Sequence, residues 1–181
     1  MRGFWKLAFV DFKLFLREPS AAFFTLVFPL MMLFLFGAVF GNKPEFLVNG
    51  SGFGTVDLSI PAYTAMIIAM TGLVSLTVPI AAARELGVLR RVHITPLTPT
   101  AILTSQVLVL FILTTIGMAL LLIAAKITYG LRFNGNVLSV TLGFLLSCCS
   151  FFALGFVLAR ISKTARSAQV MVMALYFPML F

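Results

Sequence analysis

Charged side chains are scarce in this sequence of 181 residues, and acidic ones are the scarcest. Five Asp and Glu stand against thirteen Lys and Arg, whereas 61% of the residues are apolar. The formal net charge of +8 is compatible with nucleic-acid binding, but proteins of that class cluster Lys and Arg on a soluble domain. No such domain is present here, so we expect no nucleic-acid partner. The composition instead predicts an integral membrane protein.

Residues typical of catalytic and metal sites are also few. The two cysteines, Cys148 and Cys149, are adjacent within an apolar run, so they cannot join distant segments or supply a spaced metal motif. We interpret them as small packing residues. The single histidine, His93, lies apart from the serines of the apolar runs, and we expect an interfacial or hydrogen-bonding role for it. A glycine-rich phosphate loop and a His-Glu-x-x-His motif are both missing, and we predict no catalytic residue and no metal site.

Four apolar runs are long enough to cross a bilayer. A hydrocarbon core of about 30 Å requires about 20 helical residues, and no Asp, Glu, Lys, Arg or His interrupts residues 21–40, 60–83, 101–125 or 138–159. A fifth run, 168–181, has about half the length of a span, and we expect a chain truncated at its C-terminus. The sequence therefore predicts an all-α polytopic membrane helical bundle with four complete spans and a partial fifth, forming one domain over residues 1–181.

The distribution of basic residues predicts the orientation of these spans. Ten of the thirteen Lys and Arg lie before the first run, between the second and third, or after the fourth. By the positive-inside rule these segments are cytoplasmic, and so is the N-terminus. The runs themselves carry no charge of the kind that ion-coupled carriers keep at mid-membrane, which disfavours an ion-coupled pump. Unwound backbone can nevertheless bind sodium without carboxylates.

The first 18 residues form an amphipathic pattern at helical spacing. Aromatic side chains, including Trp5, share one face, and Lys6, Lys13 and Arg17 cluster on another. This pattern predicts an N-terminal interfacial helix, with its aromatics at headgroup level and its cations toward anionic lipid, that ends at Pro19. A simple topogenic anchor is an equally good interpretation of the same residues.

The segment RELGVLRRVHITPLTP, residues 84–99, is the main island of charge between two spans. Its apolar and basic residues fall on different faces, which predicts a short amphipathic helix that continues until Pro96 and Pro99 break it. Two roles remain open on physical grounds. The helix either connects two spans along the lipid surface or docks in a groove of a cytoplasmic partner.

The same segment resembles the cytoplasmic loop of the permease subunits of type-2 ATP-binding-cassette (ABC) exporters. The family pattern of Glu, Gly and Leu at alternate positions, followed by a Pro-containing turn, matches Glu85, Gly87, Leu89 and Pro96. The stretch LREPSAAFFTLVFPLMMLFLFGAVFG, residues 16–41, is similar to the family's passage from an elbow helix into the first span. Val88 departs from the pattern, since family members often carry Thr there. The length also differs, because the family usually has six spans.

The resemblance implies that residues 84–99 form the coupling helix that receives the power stroke of a separate ATPase subunit. The implied coupling residues are Arg84, Glu85, Leu86, Gly87, Leu89, Arg90, Arg91 and Pro96, and the implied elbow residues are Trp5, Lys6, Lys13 and Arg17. ATP and Mg would bind the partner, and this chain would hold no cofactor. Two permease subunits, identical or different, would pair in the inner or plasma membrane around the path of an amphipathic, drug-like, lipid-like or glycan substrate.

Two other functions compete with an ATP-driven exporter. The first is a channel or secondary carrier without ATP coupling, and the second is a membrane enzyme. Co-purification of a soluble ATPase separates the exporter from the channel or carrier. A loss of activity on changing His93 or a serine of the spans would favour the enzyme.

Overall fold

A computed structural model describes residues 9–13, 15, 17, 19–43, 46–48, 51–87, 99–132 and 136–180. Residues 9–13 are helical, and a helical turn at Pro19–Ala22 leads directly into the first long helix. The longer helices in the described part of the chain are α1 (Phe23–Phe40), α2 (Thr55–Glu85), α3 (Pro99–Tyr129), α4 (Val137–Ile161) and α5 (Ala165–Leu180).

Four of these helices are long and apolar enough to cross a membrane, over Phe23–Phe40, Thr55–Glu85, Ile102–Tyr129 and Val137–Ile161. The predicted all-α polytopic bundle is therefore confirmed. Helices α2 and α3 extend beyond the apolar runs at both ends, because a helix continues until a cap or turn stops it and not until hydrophobicity falls. In particular, α3 begins at Pro99. A proline suits the first turn of a helix, where the N–H has no helical partner. Residues 88–98 lie outside the described part of the chain, so the predicted break at Pro96 and Pro99 stays a prediction.

The alternating helices give the bundle two ends, which we call the N-terminal side and the hairpin side. The N-terminal side carries residues 9–13, the end of α2 and the start of α3. The hairpin side carries a two-stranded antiparallel hairpin of β1 (Phe46–Val48) and β2 (Ser51–Phe53), with Leu47 opposite Gly52. The sequence analysis did not predict this hairpin.

Helix α2 is the central element of the bundle. In its most apolar 18-residue window 72% of the residues are buried, compared with 22–33% in the other three candidate spans. Its buried hydroxyl groups reach neighbouring helices: Thr114 Oγ1 of α3 donates to Thr71 Oγ1 (2.9 Å), and Thr77 Oγ1 donates to the Gly155 carbonyl of α4 (3.0 Å). Bonds of this kind between spans contribute about 0.6–2 kcal/mol each.

Helices α2 and α4 cross at two glycines. A Cβ atom added to Gly155 would collide with the Gly72 carbonyl oxygen, and one added to Gly72 would lie 2.8 Å from Phe151 Cβ. The backbones can approach this closely only because both side chains are absent. Twelve residues earlier in α4 the surroundings are open, since nothing lies within 4 Å of a Cβ position at Gly143. Of these two glycines of α4, Gly155 therefore marks a close helix contact and Gly143 does not.

Two wider, π-helical turns precede prolines in the spans. Phe23–Val27 is π-helical in α1 ahead of Pro29, and Met70–Ser75 is π-helical in α2 ahead of Pro79. A proline removes the N–H that would bond the carbonyl four residues earlier and crowds that carbonyl. Those earlier residues are Thr25 and Ser75, whose hydroxyls are buried without a hydrogen-bond partner in the part of the chain that the structure describes.

On the hairpin side, the start of α2 is capped by residues from other segments. The Asp57 carboxylate accepts from the Gly54 N–H (3.0 Å), while Asn42 Oδ1 accepts from the Asp57 N–H (3.3 Å). Gly54 leaves the space that the Asn42 side chain occupies, since a Cβ there would overlap it. Asp57 also accepts from Asn42 Nδ2 (3.0 Å) and from the backbone N–H of Arg132 (3.2 Å). One buried carboxylate thus joins the start of α2 to the α1–α2 and α3–α4 connecting segments.

Replacing Gly155 with Ala should destabilise the bundle by about 1–3 kcal/mol, because the added methyl group overpacks the crossing with α2. The matched variant Gly143→Ala adds the same group where space is open and should be neutral or gain up to about 1 kcal/mol of helix propensity. Unfolding free energies from titration of detergent micelles with dodecyl sulfate measure both. Equal free energies for the two variants would contradict the close crossing.

Candidate functional site

The end of α2 differs from the predicted coupling helix. Glu85 is the last residue of α2, the Leu86 N–H donates to the Ala82 carbonyl (3.0 Å), and Gly87 has a φ of +66°. That left-handed conformation suits glycine and stops a helix. The prediction of one amphipathic helix running through residues 84–95 is therefore wrong at Gly87. Arg84 and Glu85 belong to the long helix of the second span.

Arg84 and Glu85 bind the turn between α4 and α5. The Arg84 guanidinium donates to the Arg160 carbonyl (3.1 Å) and also to the Ala159 carbonyl at the end of α4. The Glu85 carboxylate accepts from the Ala165 N–H (2.8 Å) at the start of α5. We call this pair of side chains the Arg84–Glu85 clamp. It fastens the end of α2 to two further helices.

The charges of the clamp match the helix ends that they contact. Unpaired carbonyls make the C-terminus of a helix negative, and unpaired N–H groups make the N-terminus positive. Arg84 therefore lies at the negative end of α4, and Glu85 lies at the positive end of α5. Interactions of this kind contribute about 0.3–1 kcal/mol each at exposed positions. These contacts link the end of α2 to α4 and α5.

The remaining predicted coupling residues divide into two groups. Leu86 is 73% exposed beside the clamp and presents an apolar side chain on the surface of the N-terminal side. Leu89, Arg90, Arg91, His93 and Pro96 lie outside the described residues. The structure therefore describes only the beginning of the predicted site. There Arg84 and Glu85 are hydrogen-bonded to other helices of the chain, and the side chain of Leu86 is exposed.

The predicted elbow helix packs on the bundle as well as facing outward. Phe15 is only 7% exposed and packs in the cluster that contains Leu76, Leu110 and Leu113. The expectation that all aromatics of this segment sit among lipid headgroups is therefore wrong for Phe15. Because lipid and a protein core are both apolar, an aromatic face fits either.

The polar side of the same segment also contacts the bundle. The Ser105 hydroxyl of α3 donates to the Asp11 carboxylate (3.0 Å). Partial burial raises the pKa of the Asp11 carboxyl, and the Ser105 hydrogen bond lowers it by less. Lys13 and Arg17 are exposed as predicted, whereas Trp5 and Lys6 lie outside the described residues.

A cavity of about 150 Å³ separates this segment from the spans, with Asp11 and Phe15 on one wall and Ser75, Pro79 and Gln106 among the residues opposite. The space lies next to the π-helical turn of α2. Among the described residues, no three His, Cys, Asp or Glu side chains are grouped so as to hold a metal ion. On this side of the bundle, the described contacts are hydrogen bonds and apolar packing that hold neighbouring helices together.

Sequence reasoning missed the clamp and the Asp11–Ser105 contact. The three partners of the clamp are backbone groups, which almost every residue carries, so no side-chain pattern marks them. A usable signal for the end of α2 was present, because a Gly just after a charged last turn is typical of a helix C-terminus. The amphipathic pattern of residues 84–95 obscured that signal.

Replacing Asp11 with Asn should stabilise the protein more at about pH 7 than at about pH 4. A carboxyl whose pKa is raised in the folded state contributes less to the stability of the protein as the pH rises through that pKa. Burial disfavours its ionised form. Asn retains an acceptor for Ser105 and carries no charge. Thermal unfolding of both proteins at the two pH values tests this, with exposed Lys13→Gln as control. If the difference in unfolding temperature between Asp11→Asn and the unaltered protein is the same at both pH values, the raised pKa of Asp11 is contradicted.

Comparison with known proteins assigns the chain to a family. The model of the ABC-2 type transporter family matches residues 2–181. No curated protein and no solved structure matches the chain. The match includes all of the candidate spans and the segment that follows α2, in agreement with the resemblance of residues 84–99. The chain belongs to the ABC-2 type transporter family and is the permease, or membrane-spanning, component of an ABC transporter.

Proposed function

We propose that this permease is the membrane subunit of an exporter driven by a separate ATPase subunit. The family implies an ATP-binding-cassette partner in general. ATP and Mg bind that partner, and this chain supplies the path through the inner or plasma membrane, with its N-terminal side in the cytoplasm. The excess of Lys and Arg on the N-terminal side supports this orientation.

The Arg84–Glu85 clamp is the observation that carries the proposal. A partner that moves residues 86–98 pulls on the end of α2, and the clamp passes the displacement to α4 and α5. The central burial of α2 extends the displacement to the rest of the bundle. Such transmission requires contacts that persist while the helices move. The charge-assisted hydrogen bonds of Arg84 and Glu85 to two helix ends provide such contacts.

The coupling segment has two separate roles in this proposal. Exposed Leu86 and the residues of the island, including Leu89, Arg90, Arg91 and Pro96, bind the ATPase through apolar anchors and flanking charges. Arg84 and Glu85 act within the permease as positioning residues. Helix α2 ends at Glu85, so the positioning residues lie within the helix and the binding residues follow it. Binding and transmission can therefore be lost independently of each other.

The substrate proposed is an amphipathic drug-like or lipid-like molecule or a glycan. Among the described residues the spans offer Phe, Met, Thr and Ser side chains beside their Leu, Ile, Val and Ala, and these side chains suit such molecules. A second permease subunit, identical or different, completes the path. A chain with these spans and no ATPase would be a channel or secondary carrier, and the experiment below separates that alternative.

Replacing residues 88–98 with Gly and Ser should abolish co-purification of an ATPase with the full chain in mild detergent. Residues 84–87 stay unchanged, so the clamp and the end of α2 are preserved and the bundle should elute as the unaltered protein does. Recovery of an ATP-binding subunit with the unaltered chain alone supports the exporter. Failure of the folded, unaltered chain to recover any ATPase would favour a channel or carrier.

Glu85→Ala should leave recovery of the ATPase unchanged and lower ATP-dependent transport about tenfold, the scale of a typical coupling free energy. Alanine maintains the helix, and the exposed Ala165 N–H that it frees can bond to water. The control Arg166→Gln removes a nearby exposed charge that has no hydrogen bond to the described residues. Transport by Glu85→Ala at the rate of this control would contradict the transmitting role of the clamp.

A further inference from the structure

A lateral crevice of about 300 Å³ lies between α2, α3 and α4 toward the hairpin side. The backbones of α2 and α4 touch at Gly72 and Gly155, whereas toward the hairpin side fewer residues of the two helices approach each other and the crevice lies between them. Gly143 and Gly155 are twelve residues apart, about 18 Å along a helix. The two helices therefore form a V that opens in one half of the candidate spans.

The interior of the crevice is apolar. Its floor includes the buried Ile60 and Ile68 of α2, and Met118 and Leu122 of α3 line it as well. Such a surface does not hold ordered water, which needs two to four polar partners. Its mouth includes the exposed Pro61, Ala65 and Val140, so the space is open to the surroundings of the bundle.

The depth of the crevice matches one leaflet of a bilayer. It extends along α2 from Asp57 to Ile68, eleven residues and therefore about 16 Å of helix. Half of a hydrocarbon core of about 30 Å is about 15 Å. A single acyl chain that enters beside Asp57 ends near the level of Ile68, where the π-helical turn and the glycine crossing close the space.

One cation lies at the outer end of the crevice. The exposed Arg132 lines it, and its guanidinium donates one hydrogen bond to the Gly52 carbonyl (3.2 Å). Its other N–H groups have no partner within the described residues. Among the described residues, Asp57 is the only acid that lines this space, and three donors already occupy its oxygens. The available group is therefore a guanidinium, whose fork geometry suits a phosphate.

We propose that the crevice binds one glycerophospholipid of the hairpin-side leaflet, with an acyl chain between α2 and α4 and its phosphate on Arg132. The lipid is a resident component of the folded permease and not a transported substrate. It fills a space that would otherwise separate two spans, and so it supports the half of α4 that has fewer contacts with α2. The proposal does not depend on which molecule is exported or on the ATPase.

Native mass spectrometry of the full chain, extracted from its own membrane in mild detergent, tests the headgroup contact. We expect one retained glycerophospholipid per chain and a loss of about tenfold in retention with Arg132→Gln, which removes the charge-assisted bonds. Arg132→Lys should retain most of the lipid, because Lys also binds phosphate. The control Lys126→Gln removes an exposed charge of α3 outside the crevice and should change nothing.

A second pair of variants tests the acyl-chain contact without touching Arg132. Ala65→Phe places a ring in the crevice and should displace the lipid, whereas Ala62→Phe adds the same ring at an exposed position that does not line it. Both should elute as folded protein. This pair keeps the proposal testable even if loss of the Arg132–Gly52 bond disturbs the hairpin side.

Photocrosslinking identifies the bound region. The probe is a glycerophospholipid with a diazirine in the middle of one acyl chain, in vesicles of phosphatidylethanolamine and phosphatidylglycerol. Crosslinks should concentrate in residues 60–68 and 140–147 and should fall with Ala65→Phe but not with Ala62→Phe. Equal retention in Arg132→Gln and Lys126→Gln, crosslinks spread evenly over all exposed helices, or a retained amphiphile that is not a glycerophospholipid would each overturn the proposal.

Discussion

The bundle depends on the rule that backbone polar groups in a bilayer must find partners within the protein. Helices satisfy that rule by themselves, and the difficult positions are those where a helix is interrupted. Here the interruptions in the spans are the π-helical turns before Pro29 and Pro79. The turn in α2 lies in the most buried span, where other groups can support the irregular backbone. Thr71, which belongs to that turn, donates to the Ile67 carbonyl and accepts from Thr114.

The same rule explains the chemistry at the helix ends. A helix that ends near the membrane surface leaves carbonyl or N–H groups without partners. On the hairpin side, Asp57 and Asn42 cap the start of α2. On the N-terminal side, the Arg84–Glu85 clamp supplies a donor to the end of α4 and an acceptor to the start of α5. Polar side chains therefore connect separate segments at both ends of the bundle, and between the ends the helices are joined by threonine hydroxyls and by close contacts at glycines.

The spans could be predicted from the sequence because hydropathy and length are sufficient for a helix in lipid. The end of α2 was not predicted, because the amphipathic pattern of the sequence continues past Gly87, whose backbone conformation stops the helix. The hairpin was missed although Asn49-Gly50 between short apolar segments is a strong hairpin signal. Phe15 could not be assigned to core or lipid, because both are apolar. The clamp uses backbone partners that no sequence pattern reveals.

The contacts of α2 differ on the two sides of its π-helical turn, and this difference has a mechanical consequence. Below the turn, Thr77 bonds α4 and the clamp holds the last residues to α4 and α5. Above it, Asp57 joins α2 to the connecting segments of the hairpin side. π-Helical turns inside α-helices are frequent at functional sites. Met70–Ser75 is such a turn between two anchored halves of one helix, so a force applied at Glu85 reaches the hairpin end of α2 along that helix only through this turn.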